Sequence, residues 1–208
     1  ASGTISASVM LGVGVAGIVL LAVAAAALGP LCLKLLPLAA LGIFAYPFCK
    51  RFTWGVHFVL GAVDGFAPLG AFIAVSGRVS WSAVLLFLAV TIWVAGFDVI
   101  YALMDRDVDL AQNIRSIPAR FGEGSARSLP IALHLVMAVV LAAAGMLAAV
   151  GPPYYAGVAF ALILTWYENR SFDRAENVFV LNERIFVSNM IFSIAFFLST
   201  CAGFAWHA

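Results

Sequence analysis

Charged residues are scarce in this sequence of 208 residues. Asp, Glu, Lys and Arg together make up 10% of it, whereas 64% of the residues are hydrophobic. A water-soluble domain of this length usually has about a quarter of its residues charged, so the composition excludes an ordinary soluble fold. Because unpaired sheet edges cannot sit in lipid, the composition predicts an all-α fold, a polytopic transmembrane helical bundle within the lipid bilayer.

Other absences argue against particular classes of function and binding site. The sequence has no basic patch with interleaved aromatic residues, and its formal net charge is only +1, so we expect no nucleic-acid partner. The three cysteines have no CxxC spacing, which favours small buried side chains over a metal or redox site. The chain starts without an initiator Met or a basic region. It therefore does not resemble a signal peptide, and we expect a chain that is incomplete at its amino terminus.

Seven apolar runs are long enough to cross a bilayer, which takes about 20 helical residues. No internal repeat or low-complexity linker separates these runs, so we expect residues 1–208 to form a single domain. The approximate limits of the runs are 6–28, 33–49, 55–76, 81–103, 127–150, 153–170 and 184–206.

Basic residues predict the orientation of this bundle. If seven spans alternate in direction, only Lys34 and Arg78 lie on the side opposite the amino terminus. Cytoplasmic loops carry the excess of Lys and Arg, so the amino terminus is predicted to be cytoplasmic. The basic residues on that side are Lys50, Arg51, Arg106, Arg115, Arg120, Arg127, Arg170, Arg174 and Arg184.

Four carboxylates cluster where the fourth run ends. Asp98, Asp105 and Asp109 are seven and four residues apart, so on one continuous helix they would lie in a stripe roughly 40° wide, with Asp98 at its centre. Burying such a stripe without partners would be very costly. A divalent cation, and through it a phosphate-bearing substrate, is the expected counter-charge. Asp107 points away from the stripe, and we expect it to be solvated or paired with Arg106.

Two other polar segments lie on the same predicted cytoplasmic face. Segment 46–53 closes the second run and contains Lys50 and Arg51, and segment 113–122 follows the acids. Carboxylates with Lys and Arg on one rim suit a metal–diphosphate site, because carboxylates hold Mg²⁺ while the cations bind the remaining phosphate oxygens. The alternative is that these cations are ordinary positive-inside charges.

Asp64 stands alone about ten residues into the third run. A lone acid inside a membrane span predicts a function, and Gly61, Gly65 and Pro68 suggest a thinned or broken helix beside a cavity. A hydrogen bond that ties two helices together explains Asp64 equally well.

The histidines carry no such signal. His57 and His134 lie near the ends of runs without paired ligand spacing, so we expect structural or interfacial roles for them. The pattern does not decide whether Glu168 faces a cavity or the headgroups.

These polar segments resemble motifs of a known family. Segments 96–109 and 114–122 resemble the second aspartate-rich motif of the UbiA family of intramembrane prenyltransferases. Segment 46–53 resembles that family's YPxxKRxT segment, and segment 60–77 resembles the helix that follows it. The similarity covers essentially the whole chain and is greatest to the quinone branch, which prenylates 4-hydroxybenzoate or a related aromatic acid.

The resemblance implies Mg²⁺-dependent transfer of a polyprenyl group from polyprenyl diphosphate to an aromatic acid acceptor. The implied context is ubiquinone or menaquinone biosynthesis at the bacterial inner membrane, with the active-site face in the cytoplasm. Carried over by position, Asp98, Asp105 and Asp109 would bind Mg²⁺ and would form the catalytic set together with Lys50. The implied substrate-binding residues are Lys50, Arg51, Tyr101, Tyr46, Asp64, Arg115 and Ser116.

The start of the chain departs from the family pattern. Members normally have nine helices and a first motif, NDxxDxxxD, which is absent here, and residues 1–6 resemble the stretch that follows it. We therefore expect the seven spans to be helices three to nine, with the first motif on a missing segment or a partner chain. The alternative is a non-catalytic or degenerate relative with a structural or lipid-binding role in a larger complex. A CDP-alcohol phosphotransferase is disfavoured because its DGxxAR core is not found.

Overall fold

The computed structural model describes residues 6–206, and this part of the chain is all-helical, as predicted. Residues 1–6 were compared above with the family motif, and the first five of them lie outside the described range. The helices are α1 (Ala7–Leu28), α2 (Pro30–Cys49), α3 (Val56–Ser76), α4 (Trp81–Tyr101), α5 (Arg106–Ala111), α6 (Ile117–Phe121), α7 (Glu123–Leu147), α8 (Pro152–Arg174) and α9 (Val178–Ala205).

Seven long helices correspond to the seven apolar runs, and six of them are long and apolar enough to cross a membrane. The exception is α8, whose last two turns carry Glu168, Arg170, Asp173 and Arg174 and are therefore less apolar. The structure supports an integral membrane protein, and the count of seven spans stays a prediction.

Local polar groups decide where several helices begin and end. Ser80 caps α4 by accepting the N–H of Ala83 at 3.2 Å. The α9 helix begins at Val178, ahead of the expected residue 184, because the Asn177 side chain accepts two N–H groups of its first turn. The α3 helix ends at Gly77, whose φ of +68° is a left-handed conformation that glycine adopts without strain.

The α4 helix lies at the centre of the bundle, between α3 and α7, and also touches α9. Its contact with α3 is made by bare backbone, since a Cβ atom at Gly65 would lie 2.8 Å from the carbonyl oxygen of Phe87. A Cβ atom at Gly61 would overlap the carbonyl oxygen of Thr91. The α3 helix continues without interruption through Pro68. The expected thinned or broken helix is therefore wrong, because the glycines serve close helix packing instead.

The apolar core lies on one side of the bundle, between α4, α7, α8 and α9. Tyr154 belongs to it and donates its hydroxyl proton to the carbonyl of Leu141 at 2.8 Å. In contrast, Ala25 is the sole buried residue of α1, and α2 has none within the described structure.

Contacts between loops gather the polar segments at one end of the bundle. This end holds the loops after α2, α4 and α8, and most of the basic residues lie in these loops or in the helix turns next to them. The grouping agrees with the charge asymmetry in the sequence, and the orientation in the membrane stays a prediction. The contacts are the Arg115 N–H to the Lys50 carbonyl (2.8 Å), Arg106 to Glu123 (3.4 Å) and Arg127 to Asp173 (2.9 Å).

Candidate functional site

The acids at the polar end do not lie on one helix. The α4 helix ends at Tyr101, and tight turns follow, in which Leu103 bonds to Ile100 at 3.1 Å and Met104 bonds to Tyr101 at 3.0 Å. These i→i+3 hydrogen bonds wind the chain more tightly than an α-helix, so the residues after Tyr101 no longer continue the faces of α4. The predicted stripe of three carboxylates on a continuous helix is therefore wrong.

Asp105 and Asp109 keep the predicted relation. They are one helical turn apart, and the Asp109 N–H donates to the Asp105 carbonyl at 2.7 Å. The Asp105 side chain is 64% exposed and lies 4.0 Å from the Lys50 ammonium. Asp107 is 97% exposed and lies 3.8 Å from Arg106, so its prediction is confirmed.

Asp109 is the most deeply buried of these acids. The residue is only 3% exposed, and its Oδ2 atom has no hydrogen-bond partner. A buried carboxylate oxygen without a partner is costly, so a cation or a donor from a ligand would stabilise it. Asp109 also lines a polar cavity of about 380 Å³, together with Trp54, Leu110, Asn113, Ile114, Arg115, Ser116, Ala119 and Arg120.

Asp98 lies on α4, on the other side of the turn, and bonds to a histidine that the sequence did not single out. His57 is fully buried in the first turn of α3, and its Nδ1 atom lies 2.7 Å from Asp98 Oδ2. Its Nε2 atom accepts the backbone N–H of Ile117 at 3.2 Å. The expectation of a structural or interfacial role missed this contact, because the two partners are distant in sequence.

Three further predicted residues lie near Asp98. The Tyr46 hydroxyl on α2 and the Asp64 carboxylate on α3 both lie close enough to Asp98 to be affected by its charge. Asp64 is exposed on α3. Tyr101 is half-buried, also within range of Asp98, and its ring lies 5.4 Å from that of Phe97.

Arg115 and Ser116 build the loop between α5 and α6. Arg115 Nη1 donates to the Phe52 carbonyl at 2.6 Å, and its backbone N–H bonds to Lys50. Ser116 is buried and caps α6 by accepting the N–H of Ala119 at 3.4 Å. Their substrate-binding role stays a prediction.

Arg51 is exposed at the same end of the bundle, and its guanidinium lies 6.0 Å from the centre of the Phe48 ring. Its contact with diphosphate also stays a prediction.

An apolar cavity of about 340 Å³ lies deeper in the bundle, between α3, α4, α7 and α9. Aromatic rings connect it with the polar end, since Tyr101, Phe97 and Trp93 follow one another at helical spacing along one face of α4. The rings of Phe97 and Trp93 are 5.5 Å apart, and Trp93 lies 5.1 Å from Phe192 of α9. The cavity is lined by Pro68, Leu86, Ala89, Val90, Trp93, Met137, Leu141, Phe192, Ser193, Phe196, Phe197 and Thr200.

A second histidine–carboxylate pair lies inside the bundle beside this cavity. His134 Nδ1 is 3.2 Å from Glu168 Oε2, and the Ser188 hydroxyl donates to Glu168 Oε1 at 3.1 Å. The other ring nitrogen of His134 lies 3.4 Å from the Trp93 carbonyl, while the Trp93 indole N–H donates to Asn189 at 3.1 Å. The structure thus places Glu168, which the sequence left undecided, in a buried network.

The sequence matches the UbiA prenyltransferase family over residues 1–190. The chain belongs to this family. A 4-hydroxybenzoate octaprenyltransferase from Alkalilimnicola ehrlichii is 38% identical over 141 residues, which cover 68% of this chain and 48% of the relative. One from Salmonella paratyphi C is 33% identical, with 83% of this chain and 59% of the relative covered. The chain thus spans about half the length of the curated relatives it matches.

Two solved structures share the fold of this UbiA-family chain. An apo UbiA homolog from Aeropyrum pernix has a TM-score of 0.80 at 28% identity, and the match covers 94% of this chain and 74% of the homolog. A digeranylgeranylglyceryl phosphate synthase has a TM-score of 0.71 at 18% identity, and the match covers 97% of this chain and 71% of the synthase. The second likeness is one of fold alone.

A metal ion held permanently by the protein needs more protein ligands than a metal ion that arrives bound to the substrate. Within residues 6–206, no group of three or more His, Cys, Asp or Glu side chains is placed to hold a metal ion. Mg²⁺ is, however, commonly bound through one or two carboxylates together with substrate phosphates. The adjacent Asp105 and Asp109, with the unpartnered Oδ2 atom of Asp109, fit a Mg²⁺ ion that arrives with a diphosphate.

Proposed function

We propose that this chain forms the site of an aromatic prenyltransferase of quinone biosynthesis. The enzyme transfers a polyprenyl group from polyprenyl diphosphate to an aromatic acceptor such as 4-hydroxybenzoate, in a Mg²⁺-dependent reaction of ubiquinone or menaquinone biosynthesis. The observation that supports this most is the row of rings of Tyr101, Phe97 and Trp93 along α4, called here the aromatic path. It lies between the acid-lined end and an apolar cavity of about 340 Å³. A substrate with a charged head and a long apolar tail needs these two environments side by side.

The charged head would bind at the polar end. Mg²⁺ would be held by Asp105 and Asp109, with Asp98 nearby, and when bound it would neutralise the diphosphate and favour its departure. Lys50 already lies beside the Asp105 carboxylate, so its ammonium can donate to a diphosphate oxygen. Arg51 would contact the diphosphate from the same segment.

The reacting carbon would lie where the polar end meets the aromatic path. The bond between the allylic carbon and the diphosphate oxygen breaks, and the bonding electron pair leaves with the diphosphate towards Lys50. The acceptor ring forms the new carbon–carbon bond, and the proton on the attacking carbon then passes to the departed diphosphate. Tyr101, Phe97 and Trp93 would line one side of this point, where aromatic rings exclude water and stabilise positive charge.

The proposed topology has seven spans that correspond to helices three to nine of a UbiA-type fold. It places the polar end in the cytoplasm, at the inner membrane of a bacterium. Cysteine substitution at Arg78 and at Gln112, followed by labelling of intact cells with a membrane-impermeant reagent, tests this arrangement. Labelling at residue 78 alone is expected, and labelling at residue 112 alone would overturn it.

The decisive experiment compares three neighbouring aspartates. The complete protein in lipid nanodiscs is supplied with Mg²⁺, polyprenyl diphosphate and 4-hydroxybenzoate, and the prenylated product is measured by mass spectrometry. Asp109→Asn and Asp105→Asn should each lower turnover by about 100-fold or more, because each removes charge stabilisation of the leaving group. Asp107→Asn is the matched control, since Asp107 is exposed and pairs only with Arg106, and it should leave turnover unchanged.

The alternative is a non-catalytic UbiA-like subunit with a structural or lipid-binding role. The lack of a three-ligand metal group among the described residues and the exposed surface of α2 favour it. In that case the folded complete protein would form no prenylated product under the conditions above. Product formation that all three aspartate variants leave unchanged would instead contradict the site assignment.

A further inference from the structure

Asp98 and Asp109 belong to different parts of the chain, although both border the polar end. Asp98 lies on α4, and Asp109 lies on α5, and the tight turns after Tyr101 separate the two helices. Their relative position is therefore not fixed by a shared helix. Contacts from elsewhere in the fold must hold the two carboxylates in place.

We propose that His57 is a positioning residue that holds the Asp98 carboxylate and the start of α6 in fixed relative positions. This inference rests on the proposed function, because the site that His57 organises is the one assigned above to the diphosphate. His57 itself does not touch the substrate in this proposal, and it acts through the groups that its two ring nitrogens bind.

The two hydrogen bonds of His57 define its protonation state. The Ile117 N–H can only donate, so Nε2, at 3.2 Å, is the acceptor and carries no proton. The ring proton therefore lies on Nδ1 and is donated to Asp98 Oδ2 at 2.7 Å. His57 is thus a neutral ring that donates on one edge and accepts on the other, and it joins α3, α4 and α6.

The loop between Asp109 and Ile117 is fastened at two further points. The Ile114 N–H donates to the Asp109 carbonyl at 2.8 Å, after a left-handed turn at Asn113 with φ of +53°. The Arg115 N–H donates to the Lys50 carbonyl at 2.8 Å. The same short segment, residues 50–57, thus holds this loop through Lys50 at one end and through His57 at the other.

Substitutions at position 57 can test the two hydrogen bonds of the His57 ring. Ile117 is buried, so its N–H has no access to water if the acceptor on His57 is removed. Leucine at position 57 has neither a donor nor an acceptor. Glutamine has both on one amide group, and it can replace the two bonds of the imidazole.

Hydrogen–deuterium exchange tests the loop directly. The complete protein in nanodiscs, without Mg²⁺ or substrate, is compared with His57→Leu and His57→Gln. In His57→Leu, amides 112–121 should exchange about tenfold faster, because the unpartnered Ile117 N–H no longer anchors the loop, and His57→Gln should stay near the original rate. His134→Gln is the matched control, another buried histidine paired with a carboxylate, and it should leave these amides unchanged. Equal exchange in all four proteins would overturn the proposal.

A second readout reports the tautomer of His57 directly. Solid-state NMR of the ¹⁵N-histidine-labelled complete protein in lipid distinguishes the two ring nitrogens, and this chain contributes three histidines. We expect one buried ring with a protonated Nδ1 and an unprotonated Nε2, which His57→Gln removes. A ring at position 57 with its proton on Nε2 would overturn the proposal.

Turnover separates this inference from the function on which it rests. If the function is correct, His57→Leu should raise the Mg²⁺ concentration for half-maximal turnover by roughly 10–100-fold, and His57→Gln should restore it. An inactive complete protein would refute the proposed function, while the exchange and NMR results would still decide the role of His57. Normal Mg²⁺ dependence in an active His57→Leu would refute the positioning role and leave the function intact.

Discussion

Two buried histidines each face a carboxylate, but their surroundings differ. His57 meets a donor on one side and Asp98 on the other, so it is neutral. His134 meets acceptors at both nitrogens, the Glu168 carboxylate at 3.2 Å and the Trp93 carbonyl at 3.4 Å. A proton on either ring nitrogen of His134 therefore has an acceptor, whereas His57 needs one protonated and one unprotonated nitrogen.

The difference indicates two separate tasks. The His57–Asp98 pair lies at the polar end, where the Asp98 side chain is 19% exposed and can face a ligand. The His134–Glu168 pair lies beside a void of only about 10 Å³ and links α4, α7, α8 and α9 through its partners. We interpret the first pair as part of the site and the second as a connection that holds the bundle together.

The largest expected effect comes from His134→Leu. It leaves the buried Glu168 side chain without its histidine partner, and removing one side of a buried histidine–carboxylate pair should lower the free energy of unfolding by about 3–5 kcal/mol. Chemical unfolding in detergent micelles measures this loss. The double variant His134→Leu/Glu168→Leu removes both polar partners and should recover much of the stability. A double variant as unstable as the single one would contradict the coupling between these two side chains.

Gly96→Ala tests how closely α4 and α7 approach at the same pair. The added Cβ atom would lie 2.5 Å from His134 Nε2 and would push the ring away from the Trp93 carbonyl. We expect a loss of about 1–3 kcal/mol in the same unfolding measurement. Gly124→Ala on α7 is the control, because nothing lies within 4 Å of its added Cβ atom. Equal losses for the two variants would show that the contact with His134 does not matter.

His57→Leu should be less destabilising than His134→Leu. Water can reach the partly exposed Asp98, so the main loss is the bond to the buried Ile117 N–H, about 1–2 kcal/mol. Unfolding of the two leucine variants under identical conditions checks the order. A reversed order would mean that the His57–Asp98 pair, and not the His134–Glu168 pair, holds the bundle together.

Arg127→Ala should have the smallest effect. The Arg127–Asp173 ion pair joins α7 and α8, as the His134–Glu168 pair does, but its side chains are 47% and 50% exposed. Exposed pairs contribute about 0.2–1 kcal/mol, so the change in unfolding free energy should stay within that range. Added salt should reduce it further, since salt screens exposed charges. A loss as large as that of His134→Leu would contradict the distinction between buried and exposed pairs.

The helices and part of the site follow from the sequence for clear reasons. Apolar runs of the right length identify the long helices, because lipid requires them. The four-residue spacing of Asp105 and Asp109 holds because Asp105 is the N-cap of the short helix α5, which contains Asp109. Asp98 was placed on their stripe wrongly, since residues 101–105 contain neither glycine nor proline and give no local sign of the turns that end α4.

The histidines could not be assigned from sequence because their partners are distant along the chain. His57 is 41 residues from Asp98, and the contact depends on how closely α3 approaches α4. The signal for that approach was present in Gly61 and Gly65, whose four-residue spacing is typical of helices that pack through small residues. It was interpreted as a weakened helix, because a single sequence does not show which helix the glycines face.

The glycine contact between α3 and α4 also bears on how the protein responds to its solvent. Backbone atoms that already touch cannot move closer, so the distance between these two helices does not depend on side-chain rotamers. A bilayer that thins or thickens would therefore tilt α3 and α4 together without changing the distance between them. The distance between His57 and Asp98 therefore does not depend on the thickness of the membrane.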